Sequence, residues 1–429
     1  TLLLSLSLTE MTLRKFPLVI FLLTARLLTR TSAATYERDV VVLSSLRSSV
    51  DDSSVAPGSC LSSWDFSVDP CDNLFTDRFT CGFACGDADG ILRLTELTLD
   101  GAGYSGSLET VPFNDAEYLQ ILDVSGNCFY GRIPESITGL ERMTRLVLSS
   151  NSFDGWIPES VGTVTNLEEV FLDNNNLDGE VPTGFGSLSS LKRLELQNNN
   201  LSGSFPVFSS SLSYFDASNN GFTGDLSSFP SSMVEIVLRN NSVQGGIPES
   251  LQNLSNLQVL DLSYNQISGD VPRFLFVSPS LEQINLAGNQ LTSIGTPPAA
   301  AILQSQLIAL DVSANQIEGS LPEFLGLMPR LSVLSLEENR LSGMIPLPYA
   351  IKAVLPPLGV SQFTRLFLDH NYLFGPIPRP FLWLFKKEFS SSSCDIRIDG
   401  NCLFRCPSRF FFCQGFGQRS QADCKGFLP

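Results

Sequence analysis

Ten cysteines, one histidine and three Asn-x-Ser triplets hold most of the chemistry that residue types alone offer in this 429-residue chain. Cys60, Cys71, Cys81 and Cys85 cluster toward one end. Cys394, Cys402, Cys406, Cys413 and Cys424 cluster toward the other, and Cys128 lies alone between them. Clusters at both ends fit disulfide-stapled caps in an oxidising compartment. Cys60, Cys71, Cys81, Cys85, Cys402, Cys406, Cys413 and Cys424 are the candidates, which leaves Cys128 and Cys394 over; the first four allow three pairings. Cys81-x3-Cys85 and Cys402-x3-Cys406 also have a zinc-like spacing. With His370 the sole histidine, neither a metal centre nor a cofactor is expected. Beside Asp369, His370 reads as a solvated strand-edge residue rather than a general base. The chain has no Gly-x-Ser-x-Gly elbow and no phosphate-binding loop, so it does not read as an enzyme. Asn200-Leu201-Ser202, Asn240-Asn241-Ser242 and Asn253-Leu254-Ser255 are glycosylation acceptors if the chain is exported.

A larger pattern positions these groups. Residues Leu257 to Pro272, LQVLDLSYNQISGDVP, place apolar residues at positions one, four, six and eleven, then Asn at nine, Gly at thirteen and an aliphatic-Pro pair at the end. Leu260 and Leu262 alternate at period two, as in a short strand with one face in a core. Asn265 turns the chain, Gly269 permits a conformation other residues resist, and Pro272 begins the return leg. The same grammar recurs at Asn127, Asn151, Asn175, Asn199, Asn220, Asn241, Asn265, Asn289, Asn315, Asn339 and Asn371. Successive intervals are 24, 24, 24, 21, 21, 24, 24, 26, 24 and 32 residues. An earlier register, Leu94 to Leu108, has Ala102 in the Asn column, and a partial last one holds Asn401.

A period in the twenties is the mark of leucine-rich repeats, in which each coil is covered only by its neighbours. The expected fold is therefore an α/β leucine-rich repeat solenoid. A curved parallel β-sheet lines its concave face, 3-10 turns and loops form its convex side, and disulfides cap its ends. The Asn column is read as scaffold, because an amide that both donates and accepts can satisfy backbone groups of adjacent coils. Cys128 and Cys394 cannot pair. About ten coils at ~4.8 Å separate them, against a limit near 7 Å between Cα atoms.

Along the chain, Arg14 and Lys15 precede the apolar run Phe16 to Leu23, and Ser32-Ala33-Ala34 offers a cleavage site. Residues 1–34 thus read as a signal peptide, with Met11 as the start and residues 1–10 upstream of it. Residues 35–93 read as an N-terminal cap, helical from about Thr35. Residues 94–393 form about twelve repeats, and residues 394–429 form a cysteine-rich C-terminal cap. The short coils around Asn220 and Asn241 should bend the solenoid locally. The extra residues between Leu347 and Gln362 read as a plain apolar loop. No later run is long enough to span a membrane, so the protein is expected to be released, with no transmembrane anchor in this chain.

The net charge of −17 argues against nucleic acid and anionic surfaces as partners and favours basic ones. On the variable strand positions fifteen carboxylates face five basic residues, with aromatics among them. That mixture suits protein recognition. Phe171, Asp173, Arg193, Glu195, Tyr214, Asp216, Arg239, Asp261 and Tyr264 are the candidate partner-binding residues.

The Gly-x-Ile-Pro continuations (Gly131/Ile133/Pro134, Gly155/Ile157/Pro158, Gly245/Ile247/Pro248, Gly343/Ile345/Pro346 and Gly375/Ile377/Pro378) resemble the plant extracellular subclass of leucine-rich repeat proteins. Leu61-Ser62-Ser63-Trp64 ahead of Cys71 and Cys81 resembles its N-terminal cap, and Asn401 to Cys424 its C-terminal one. The resemblance implies a Cys71–Cys81 disulfide, leaving Cys60–Cys85. It also implies secretion to the apoplast or cell wall and binding of a protein or peptide at the cell surface. A receptor-like role beside a membrane receptor kinase, in signalling or defence, is the expectation. Polygalacturonase-inhibitor-like and extensin-type wall-structural relatives supply the alternatives. No strand carries the Arg-x-Arg pair by which relatives hold a peptide carboxylate, so a folded protein or a basic segment is the expected ligand.

Overall fold

The computed structural model describes residues 34–208, 210–226, 229–385, 394–404, 406, 410–413 and 417–427. The leader read at residues 1–34 lies outside them, apart from Ala34. Fourteen strands form one sheet along the concave face. Strands β1 (Phe83–Ala88) and β2 (Ile91–Thr98) make an antiparallel hairpin that opens it. Parallel to β2 follow β3 (Ile121–Asp123), β4 (Arg145–Val147), β5 (Glu169–Phe171), β6 (Arg193–Glu195) and β7 (Tyr214–Asp216). Then come β8 (Glu235–Val237), β9 (Val259–Asp261), β10 (Gln283–Asn285), β11 (Ala309–Asp311), β12 (Val333–Ser335), β13 (Arg365–Phe367) and β14 (Asp395–Arg397).

Each of these strands is short because the repeat supplies only one or two inward side chains before the Asn turn. Leu146, Val170, Leu194, Phe215, Ile236 and Leu260 sit at the strand centres and are fully or almost fully buried. They belong to one core that runs unbroken through the coils. Outer strands such as Phe129's Cys128–Arg132 and Ser152–Trp156 make smaller parallel sheets on the opposite leg. Pro134, Pro158, Pro182 and Pro248 each precede a one-turn 3-10 segment on the convex side. Proline suits that place because its fixed φ starts the turn and no N–H is left without a partner.

The Asn column bonds coil to coil. Asn265 Nδ2 donates to the Leu238 carbonyl of the preceding coil at 2.9 Å and to its own Leu262 and Ser263 carbonyls, while its Oδ1 accepts the Val243 N–H at 3.0 Å. The pattern repeats from Asn127 to Asn401. Just before it, Asn174, Asn198, Asn219, Asn240 and Tyr264 all take positive φ near 55°, a left-handed bend that asparagine tolerates better than most residues.

Where the coils shorten, phenylalanines replace the missing turn. Phe205 lies 4.7 Å from Phe222, Phe208 lies 4.7 Å from Phe215, and Phe229 stacks beyond them. The outer sheet breaks here: its six-stranded part ends at Gly221–Phe222, and a single bridge, Asp225 to Gln244, crosses to the next part.

Two expectations are corrected. The N-terminal disulfides join Cys60 to Cys81 and Cys71 to Cys85, with Cα separations of 5.0 and 5.9 Å, in place of Cys71–Cys81 and Cys60–Cys85. Trp64 explains the choice: its Nε1 donates to the Cys81 carbonyl at 2.9 Å, and Ser63 Oγ meets Thr80 Oγ1 at 2.9 Å. The short helix carrying Cys60 is thereby held against Cys81, while Cys71 is left beside the β1 hairpin that carries Cys85. At the other end the bonds are Cys402–Cys424 and Cys406–Cys413, and Cys128 and Cys394 remain free thiols. The second correction concerns the insertion, which is an α-helix over Leu347–Val354 rather than a plain loop. Pro348 sits in its first turn, where proline is tolerated, and Tyr349, Ala350 and Ala353 bury a continuous apolar face.

The N-terminal cap is a helix, α1 (Glu37–Ser49), that covers the first coil with Val42, Leu43 and Leu46. Asp39, fully buried, accepts from Arg93 Nε at 2.9 Å and Nη2 at 3.2 Å and from the Leu94 N–H at 2.8 Å. The insertion helix is designated α2.

Candidate functional site

The solenoid leaves open the side chains on the strand positions that point away from the core. Strands β5, β6 and β7 are in register, so Arg193 lies beside Glu169 and Tyr214, and Glu195 lies beside Phe171 and Asp216. Arg193 Nη1 donates to Glu195 Oε1 at 2.6 Å, and its guanidinium lies 4.5 Å over the Tyr214 ring. Arg145 stands over Phe171 at 5.3 Å and pairs with Glu169 at 3.5 Å. Gln197 Nε2 donates to Glu195 Oε2 at 3.0 Å. The result is a small lattice in which aromatic faces, guanidinium groups and carboxylates share one surface.

Burial pushes the Asp216 carboxyl above its ordinary range, the Ser218 N–H opposes that shift, and the neighbouring Glu195 charge adds to it. Glu235 is raised by burial too, countered by Arg193 and reinforced by Asp216 and Glu195. A cation brought to this patch would relieve the crowding of like charges.

Phe171, Arg193, Glu195, Tyr214 and Asp216 come together on three adjacent strands. Arg239 stands one coil further on, exposed and near enough to Asp216 to lower its pKa. Asp173 departs from the group: it is buried, accepts from Ser149 Oγ, and takes Asn174 Nδ2 at 2.6 Å. Asp261 is spent largely on its own turn, accepting from Ser263 N and Oγ at 3.0 and 2.6 Å. Tyr264 is 62% exposed but lies at the strand edge, packed over Gly288. The sequons place Asn200, Asn240 and Asn253 on exposed surface.

Three features were not read from the sequence. An outer asparagine ladder borders the patch: Asn198 donates to Asn174 Oδ1 at 2.8 Å, Asn219 to Asn198 at 2.7 Å, and Asn240 to Asn219 at 3.0 Å. Four consecutive coils with Asn directly before the repeat's column Asn carry its signal: Asn174, Asn198, Asn219 and Asn240. Toward the C-terminal end, Arg365 and Arg397 bracket Phe367 at 5.3 and 4.2 Å. Nearby, burial raises Glu337 to about 7, helped by Asp311, Asp369 and Glu338. Among the described residues, Glu337 Oε2 and Asp369 Oδ1 are buried without a hydrogen-bond partner.

Among the described residues no three or more His, Cys, Asp or Glu side chains gather as a metal site would require. No described helix is long and apolar enough to cross a membrane.

Leucine-rich repeat family models match residues 231–291 and, in a second model, 118–140, 166–188 and 190–212. A plant peptide hormone receptor, RGFR1, solved in complex with RGF2, is similar at 29% identity and a TM-score of 0.64, covering 72% of this chain and 48% of that one. A TDR receptor is similar at 25% identity and a TM-score of 0.59, covering 76% and 53%. A plant ice-binding protein shares the fold at 24% identity and a TM-score of 0.52, covering 73% and 89%. This chain spans about half the length of the two receptor chains. A search of curated proteins found no match.

Proposed function

We propose that this chain, a leucine-rich repeat protein of the plant extracellular kind, binds a peptide or protein through the concave patch of β5 to β8. The observation that carries this reading is the convergence of Phe171, Arg193, Glu195, Tyr214, Asp216 and Glu235 on one open face. Its aromatic and arginine side chains are of the types that dominate recognition surfaces. Its carboxylates are already crowded, which favours a partner with positive charge. The net charge of −17 would steer such a partner inward at low ionic strength.

One similarity supports the class of ligand, since RGFR1 was solved with RGF2 bound; the TDR receptor supports the coil architecture. Extracellular placement is supported by four disulfides at the two ends. The cell-surface role we favour is ligand sensing together with a membrane receptor kinase, in signalling or defence. The test is affinity capture from plant cell-surface extracts with the wild-type protein and with Glu195→Lys/Asp216→Lys, at low and high salt. A partner held by the wild type and lost with the variant and with salt is expected. Equal capture by both proteins would refute the concave patch as the site.

A further inference from the structure

On the outer leg the repeat supplies its own comparison. Alternate side chains of Cys128–Arg132 and Ser152–Trp156 face outward, and there Tyr130 and Trp156 are 46% and 50% exposed. In the next coils the place of Tyr130 is held by Asp154, Asp178 and Ser202, and that of Trp156 by Glu180, Ser204 and Asp225. The coil closes with small or charged residues at both places, so the scaffold does not call for two large aromatics in water.

Trp156 borders a groove of about 230 Å³, shared with Glu109, Arg132, Glu135 and Ser136 and floored by Pro134 and Pro158. Smaller than the ~300–1,000 Å³ of drug-sized sites, it has room for a single ring. Its polar groups are held in place. Glu109 Oε1 accepts the Arg132 N–H at 2.8 Å, and Glu135 Oε2 accepts from Ser160 Oγ at 2.7 Å. The Arg132 guanidinium stacks 4.2 Å from the centre of the indole, and half of Trp156 still stays in solvent. Among the described residues no hydrogen bond reaches the second oxygen of either carboxylate.

We propose that this groove binds a neutral saccharide, one pyranose ring laying its C–H face on the exposed indole of Trp156 and giving its hydroxyls to Glu109 and Glu135. Arg132 donates to the sugar oxygens in turn. An aromatic face set among polar groups suits a ligand that is itself apolar on its faces and polar at its rim. The neighbouring charges set the class of sugar. Asp154 is in register with Arg132 and Asp178 with Trp156, so with Glu109 and Glu135 four carboxylates lie about one guanidinium. A uronate would be repelled there. A proline-rich segment also stacks on an indole, but its tertiary amides only accept, whereas the two carboxylates need donors and hydroxyls supply them. Tyr130, on the same outward face one strand back, takes a further sugar of the same chain. The site shares no residue with the concave patch and does not depend on its assignment.

The test is calorimetric titration of the full chain with cellohexaose, chitohexaose and mannohexaose as neutral probes, hexagalacturonate as the acidic one and decaproline as the peptide. At least one neutral hexaose should bind, roughly tenfold or more tighter than hexagalacturonate and decaproline. Trp156→Ser should weaken that hexaose by roughly tenfold or more, and Tyr130→Ser by less. Tyr214→Ala should change nothing. Both serine variants install what Ser204 and Ser202 already supply at the same places, so the melting temperature should hold. No binding by any neutral hexaose, equal or tighter binding of hexagalacturonate or decaproline, or undiminished binding in Trp156→Ser would overturn the site. Should Trp156→Ser fail to fold by circular dichroism, Glu135→Gln on its exposed side chain decides, a several-fold loss supporting the site and an unchanged affinity refuting it.

Discussion

Asn265 makes bonds that no other side chain of its size can make together, giving from its amide to two coils and taking from a third group through its oxygen. Replacing it with Ala leaves those backbone groups buried without partners. Asn265→Ala should lower stability by about 1–3 kcal/mol, read from the denaturant midpoint. Glu337 makes the opposite case, a group that the folded state would rather keep protonated. Its folded value of about 7 lies above the ordinary 4.5, so the native state binds more protons than the unfolded chain between those limits. Stability should therefore fall as pH rises across that window. Glu337→Gln should flatten the fall and raise stability at pH 8 by roughly 1–2 kcal/mol after allowance for solvent screening, as thermal melts from pH 4 to 8 would show.

In the caps and the insertion, single elements depend on a few buried partners. The cap helix α1 is tied to β2 through Asp39 and Arg93, both almost wholly out of water. Arg93→Met would strand the Asp39 carboxylate and should cost about 3–5 kcal/mol. Loss of α1 helicity ahead of the repeats in hydrogen exchange would locate that loss. In α2, Tyr349 is fully buried and its hydroxyl donates to the Pro322 carbonyl at 3.0 Å. Tyr349→Ala should cost about 3–5 kcal/mol, in the range of large-to-small core changes. The repeat elements could be read from the sequence because period and turn residues are local properties. The α2 helix could not, because its Pro- and Ala-rich run becomes helical only when Tyr349 and Ala353 find the neighbouring coil. The disulfide partners were misread for a related reason: Trp64 decides which cysteine faces Cys81, and that packing is tertiary. Of the proposed recognition patch, the residue types were legible, but the withdrawal of Asp173 into hydrogen bonds with Ser149 and Asn174 was not. Spacing alone does not say which carboxylates stay free.

Across the whole solenoid, one continuous core leaves an acidic inner wall whose charges add. Binding of a basic partner should therefore weaken with salt, since the Debye length shrinks from ~10 Å at 0.1 M to ~3 Å at 1 M. It should also weaken as pH falls from neutral, because Asp216 and Glu235, raised by burial, lose charge sooner than exposed carboxylates. Both trends speak to electrostatics without saying where the partner sits. Carbodiimide footprinting of carboxyl groups, with the captured partner bound and absent, gives that location. Protection concentrated on Glu195, Asp216 and Glu235, with Asp178 and Glu180 on the outer leg unchanged, is the predicted result. Protection of the outer leg with the inner carboxylates still labelled would contradict recognition by the concave face.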